Sequence, residues 1–132
     1  MVLTPEILAS LIEQAKSSPR LRMNYDLRNS SEDNSQRMLN ALEVGTVLPI
    51  HRHTKSSETT AVLRGKIRQN FYDESGNITE SVIIEAAGPC PIYVVPKGMW
   101  HNTECLESGT ILFEAKDGAY EPQNPEDVWG RS

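Results

Sequence analysis

The apolar positions of the chain change period near residue 44. In the first twenty residues, Leu8, Leu11, Ile12 and Ala15 recur at spacings of three and four, which puts them on one face of an α-helix. Thr4 offers an N-cap, Pro5 a first helical residue that needs no amide donor, and Pro19 ends the pattern. The spacing predicts a short amphipathic helix over about residues 4–18, covering something else. From residue 44 onward the apolar residues come in short or alternating runs: VLPI, TTAVL, KIRQNFY, ITESVIIE, PIYVVP and GTILFEA. Between them stand DESGN, AAGPCP, PKG and LESG, which are turn sequences. Short strands at this spacing, joined by tight turns, predict an antiparallel sandwich or barrel. The expected organisation is one domain over residues 1–132: the helix, a barrel over about 20–120, and an irregular polar tail over 121–132. That tail, EPQNPEDVWGRS, carries two prolines and a lone Trp129.

One segment reads two ways. In SEDNSQRMLNALEVG, Ser31 can cap a helix whose one face would carry Met38, Leu39 and Leu42. Propensity favours that helix. The same residues also read as a strand leading into the histidines downstream.

Composition narrows the function classes. With 132 residues, 38% of them hydrophobic and 23% charged, the chain suits one ordinary globular domain. The net charge is −5 with both signs interspersed, so the basic face needed to bind a nucleic-acid backbone is missing. No apolar run approaches the eighteen or so residues of a membrane span. The first twenty residues lack the basic start and apolar block of a secretory signal. Two cysteines, Cys90 and Cys105, are too few for a disulfide framework. A cytoplasmic protein with reduced thiols is expected, with neither nucleic acid nor membrane as partner.

The candidate chemistry lies between Gly45 and Gly65. This stretch holds two of the three histidines of the chain, His51 and His53, followed by Glu58. In a strand-like PIHRH run, the two imidazoles project from one face. TKSS can turn the chain so that Glu58 opens the next strand opposite or diagonal to them, forming a hairpin. The third histidine, His101, follows a tight turn at Pro96–Gly98, with a new strand starting at Met99. If the sheet closes, His101 completes a set of three imidazoles and one carboxylate. Such a set suits Fe, Mn, Ni, Cu or Zn and leaves open positions on a six-coordinate ion. Two other readings remain at this point: surface histidines, or a metal-free dyad in which Glu58 orients a histidine as general base. No Ser or Cys nucleophile motif accompanies such a dyad, and no Cys-x-x-Cys pair suggests a zinc finger.

The run Gly45, five residues, His51-Arg52-His53, four residues, Glu58, six residues, Gly65 resembles the first signature motif of the cupin superfamily. Pro96-Lys97-Gly98-Met99-Trp100-His101 resembles the second, with two departures. Its leading glycine is Gly88, two residues early, and Cys105 takes a position that is asparagine in the motif. The likeness implies an all-β double-stranded β-helix, the cupin jelly-roll barrel, with a short N-terminal helix. It implies one divalent transition metal (Fe, Mn, Ni, Zn or Cu) held by His51, His53, Glu58 and His101. It also favours the strand reading of QRMLNALEVG. A narrower likeness joins SSPRLRMNYDL, SEDNSQRMLNALEVGT, HRHTKSSETTAVLRG, PKGMWHN and GTILFEAKDGAYEP to the WbuC-type cupins, small bacterial metalloproteins with a carbohydrate context. That likeness implies fold, metal and carbohydrate context and stops short of a substrate. The expectation built on it is a metal-dependent isomerase, epimerase or oxygenase for a small oxygen-rich metabolite such as a sugar derivative, in surface-polysaccharide biosynthesis. The alternative is a non-catalytic metal-dependent sensor or binding module. A small-molecule ligand and a homo-oligomer, a dimer, are the expected partners.

Smaller expectations attach to other residues. Glu114 and Lys116 alternate with Leu112 and can line a cavity mouth, but a solvated outer face is the favoured reading. Cys105 shares parity with His101 and is expected as a buried structural thiol. Arg64, Lys66 and Arg68 are expected on the wet face of a strand. Tyr25, Tyr93 and Trp100 either wall a pocket or pack; the sequence leaves both open.

Overall fold

The computed structural model describes residues 1–130; the last two residues of the tail expected at 121–132 lie outside the described residues. Helix α1 spans Pro5–Ser17, with the Thr4 hydroxyl accepting from the Ile7 amide and Pro5 opening the first turn. Eight strands follow: β1 Arg22–Asp26, β2 Ser35–Leu42, β3 Glu58–Arg64, β4 Lys66–Tyr72, β5 Ile78–Glu85, β6 Ile92–Val95, β7 Trp100–Cys105 and β8 Thr110–Asp117. They form a five-stranded antiparallel sheet, β1-β2-β8-β3-β6, and a three-stranded one, β5-β4-β7. This is the jelly-roll architecture expected from the two motifs, with the short helix at its N-terminal end.

The ambiguous segment is a strand. β2 is flanked on both sides, pairing β1 through Met23↔Ala41 and β8 through Leu39↔Phe113. Two ladders of backbone hydrogen bonds outweigh a helix preference of a few tenths of a kcal/mol per residue. Alternation then divides its side chains between the two faces.

Each face of the large sheet has its own apolar cluster. Leu39, Ala41 and Ile111 point outward and are covered by Leu11 and Ala15 of α1. Leu42, Val62 and Leu112 point inward and meet Ile67, Ile84 and Cys105 of the small sheet. The inner cluster holds the sheets together at one end only. Toward the other end the same inward rows carry Asn40, Glu58, Thr60 and Glu114, so the space between the sheets becomes polar there.

Gly65 carries the chain from β3 in the large sheet to β4 in the small one. Its φ is +81°, and a Cβ at this position would lie 2.2 Å from Thr110 Oγ1 and 2.8 Å from Thr110 Cα. Thr110 is fully buried, and its hydroxyl accepts from the Lys66 amide and donates to the Glu107 carbonyl. Gly65→Ala should therefore destabilise the protein by more than the ~1 kcal/mol of a conformational penalty alone, on the order of 2–4 kcal/mol. A urea-unfolding midpoint equal to wild type would refute this crossing as a sterically closed position.

Candidate metal centre

The histidine stretch is not a hairpin with β3. The VLPI run forms no strand, and His51 instead makes an isolated antiparallel bridge to His101 at the start of β7. The amide of each donates to the carbonyl of the other, at 3.0 and 2.9 Å. Pro49 has no amide to give a ladder, and the backbone groups of His51 are already taken by His101, so none is left for β3. His53 is held along the same edge, its carbonyl accepting from the Gly98 amide in the turn before β7 at 2.7 Å. Gly98, at φ +80°, sits in the tight turn in which the Met99 amide returns to the Pro96 carbonyl, as the sequence predicted. β7 begins at Trp100, one residue later than expected.

These links bring the three imidazoles together. Ring centroids are 4.9 Å apart for His51–His53, 4.3 Å for His51–His101 and 5.4 Å for His53–His101. One ligand atom from each lies within 4.8 Å of the other two, a grouping that could hold a metal ion. His51 Nδ1 is 2.9 Å from the Pro49 carbonyl and His101 Nδ1 is 2.9 Å from the Met99 carbonyl. A ring nitrogen facing a carbonyl in a neutral imidazole carries the proton, which leaves Nε2 with its lone pair. His53 Nε2 is buried and has no hydrogen-bond partner, although Glu58 Oε2 stands 3.2 Å away. Glu58 opens β3 and its side chain is 13% exposed; it adjoins His53 but is not one of the three mutually close groups.

The electrostatics suit neutral imidazoles beside a carboxylate. Burial, with His51 as a second cause, pushes His101 down to about 4, and burial also lowers His51. Burial alone would raise Glu58, but His53, His101 and Lys116 outweigh it and hold its carboxyl well below the usual range. Neutral His51 and His101 beside an ionised Glu58 is the protonation state that metal ligation requires.

Glu114 and Lys116 are not on a solvated outer face. Both share the inward parity of Leu112, and with Glu58 and Met38 they line an inner cavity of about 30 Å³. Asn40 on β2 donates to Glu114, and burial followed by Glu58 pushes the Glu114 carboxyl up to about 8. The signal was present in the sequence, since Leu112 is the apolar member of the same alternation. Lys116 also borders an outer cleft of about 550 Å³, walled by Arg52, His53, Lys55, Tyr120 and Asp127. Cys105 is buried as a structural thiol, its Sγ 3.5 Å from the Leu42 carbonyl and 3.2 Å from that of Glu107. Arg64 is exposed, while Lys66 and Arg68 pair at the surface with Glu85 and Glu104. Tyr25 packs beneath α1, and Tyr93 lies inside the barrel against the inner cluster. Trp100 is buried under Arg52, whose guanidinium carbon is 4.6 Å from the ring centroid.

Residues 3–84, well over half of the chain, match the family described as Domain of unknown function (DUF6016). The chain belongs to that family. No curated protein matches it. The DUF6016 chain shares its fold with solved structures of low sequence identity. KdgF from Halomonas sp. superposes with a TM-score of 0.62 at 14% identity, covering 78% of this chain and 84% of that one. CapF from Staphylococcus aureus, a capsular polysaccharide assembling protein, gives 0.69 at 19%, covering 85% of this chain and 32% of that one. Oxalate oxidase in complex with the substrate analogue glycolate gives 0.62 at 15%, covering 81% of this chain and 55% of that one. The DUF6016 chain thus spans about half of oxalate oxidase and a third of CapF. The Schizosaccharomyces pombe Cnp3 cupin domain is a further match, so the cupin fold is established on both the architecture and the neighbours. Among the described residues, no helix is long and apolar enough to cross a membrane.

The two buried groups move stability in opposite directions with pH. His101 binds fewer protons folded than unfolded between about 4 and its ordinary 6.5, so its contribution rises with pH through that window. Glu114 binds more protons folded than unfolded between 4.5 and about 8, so its contribution is lost as pH rises through that range. In metal-free protein, Glu114→Gln should thus gain stability over wild type between pH 5 and pH 8, on the order of 2–4 kcal/mol. Parallel unfolding curves for the two proteins at both pH values would show that Glu114 ionises normally.

Proposed function

We propose that this chain is a small metal-binding cupin in which His51, His53, Glu58 and His101 hold one divalent transition metal. The observation that carries the reading is the convergence of three imidazoles, two of them locked by carbonyls into the tautomer with a free Nε2. The unpartnered buried Nε2 of His53, beside a carboxylate kept ionised, supports the same assignment. Nitrogen and oxygen donors of this kind suit Fe, Mn, Ni, Zn or Cu.

The reading extends to a metal-dependent enzyme, of isomerase, epimerase or oxygenase type, acting on a small oxygen-rich metabolite. When bound, the metal would supply Lewis acidity that polarises a carbonyl or makes a hydroxyl more acidic. Glu114 would carry a proton near neutral pH, as a group that donates to or accepts from a ligand oxygen does. Lys116, shared by the inner cavity and the outer cleft, would meet the negative end of a ligand. A sugar derivative is the favoured substrate. The motifs shared with WbuC-type cupins support a role in surface-polysaccharide biosynthesis, as does the likeness to a capsular polysaccharide assembling protein.

Purified protein should contain about one transition metal per chain, and His51→Ala or His101→Ala should remove most of it. Elemental analysis showing full occupancy in a His51→Ala, His53→Ala double variant would overturn the ligand set. Protons compete for three imidazoles whose free pKa is about 6.5, so metal retention against a chelator should fall from pH 7 to pH 5.

Ligand preference is read by calorimetry on metal-loaded and metal-free protein with sugar phosphates, nucleotide sugars and small carboxylates. Binding only to the loaded form is expected. Equal affinity for both forms would remove the metal from the mechanism, and binding without turnover would make the chain a ligand-binding module instead.

A further inference from the structure

We propose that residues 123–129 brace the metal centre, and that Asp127 is a positioning residue for the stretch bearing His51 and His53. The inference rests on the metal-site reading above. Residues 50–53 belong to neither main sheet, and along an extended backbone successive amides and carbonyls face opposite sides. His51 turns its pair toward His101, so Arg52 turns its own pair away from β7.

The tail satisfies that far edge. The Arg52 amide donates to the Asp127 carbonyl at 3.0 Å, and the Arg52 carbonyl accepts from Gln123 Nε2 at 3.0 Å. The Trp129 amide donates to the Ile50 carbonyl at 2.8 Å, and Val128 bridges His51. The histidine stretch is thereby held between β7 on one edge and residues 127–129 on the other.

Side chains close the same clamp. Asp127 is 7% exposed and its Oδ1 accepts from Arg52 Nε at 2.8 Å. The Arg52 guanidinium lies over the ring of Trp100, the residue before His101. Trp129 meets Trp100 edge-on, with centroids 5.2 Å apart and planes at 89°. Its ring rests against Gly76, where a Cβ would come within 2.7 Å. One chain of contacts, Asp127 to Arg52 to Trp100 to Trp129, therefore ties the His51–His53 stretch to β7 from behind. A residue that holds the backbone of Arg52 through its carbonyl and the guanidinium through its carboxylate limits how far either flanking ligand can swing.

The test is metal affinity against stability. Zn²⁺ dissociation constants are measured by chelator competition, alongside urea unfolding of metal-free protein and the visible spectrum of the Co²⁺ form. Asp127→Ala should weaken Zn²⁺ binding about 10–100-fold and alter the Co²⁺ bands. Asp127→Asn keeps an oxygen acceptor for Arg52 and should stay within about threefold of wild type. Trp129→Leu should weaken binding in the same direction, and it carries the test if Asp127→Ala does not fold. Asp26→Asn, which breaks a remote surface ion pair, should leave affinity unchanged. Unchanged Zn²⁺ affinity and Co²⁺ spectrum in Asp127→Ala and Trp129→Leu would overturn the inference, even with lowered stability. Equal losses in Asp127→Asn and Asp127→Ala would assign the effect to charge and also overturn it. Absence of Zn²⁺ and Co²⁺ binding in wild type would instead strike down the metal-site reading, and this inference with it.

Discussion

Two backbone hydrogen bonds between His51 and His101 join the parts of the molecule on which the site depends. They are the only ladder contact His51 makes with a main-sheet strand among the described residues. They connect a loop-like stretch that precedes β3 of the large sheet to the first turn-exit of β7 in the small sheet. Without that bridge the imidazoles of residues 51 and 53 would have no defined relation to the imidazole of residue 101. The same bridge leaves one edge of the histidine stretch open, and the tail occupies it.

The bridge lies at the polar end of the space between the sheets, where the inward rows carry Asn40, Glu58, Thr60 and Glu114. The sheets are held face to face by Leu42, Val62, Ile67, Ile84, Cys105 and Leu112, which exclude water at one end. At the other end, the backbone of Pro49 and Met99 supplies carbonyls to the ring nitrogens of His51 and His101. Imidazoles buried in this way are costly to charge, whereas a neighbouring carboxylate is stabilised as an anion by the rings and by Lys116. Glu114, one step deeper and close to Glu58, feels the opposite pressure. Two carboxyl groups on adjacent strands are thus driven apart in acidity by burial and mutual repulsion, the usual basis for separate roles of paired acids.

Much of this was legible along the chain. The helix follows from Leu8, Leu11, Ile12 and Ala15 with Thr4 and Pro5 before them, because local spacing and capping are local physics. The strand runs and the glycine turns of the barrel follow from period-two alternation and from positive-φ requirements at positions such as Gly65 and Gly98. His51, His53 and Glu58 were visible together because their spacing is short, and His101 joined them because the chain has only three histidines and this one lies in a second motif. The inward direction of Glu114 was also legible in the parity it shares with Leu112, but charge favours solvent as a default and that default was wrong here.

What only the tertiary structure decided are the contacts between residues distant in sequence. Ser35–Leu42 is a strand because β1 and β8 flank it, and no local preference encodes those neighbours. The pairing of His51 with His101 rather than with β3 depends on how the two sheets close, a choice made fifty residues away. The capture of Arg52 by Asp127, seventy-five residues later, is likewise invisible to any periodicity, since an exposed polar tail and a docked one have the same composition. Sequence by itself determined which groups were available for chemistry and which segments could be strands. Their convergence was decided by closure of the sheets, because long-range pairing is selected by the burial and hydrogen bonding of the whole barrel.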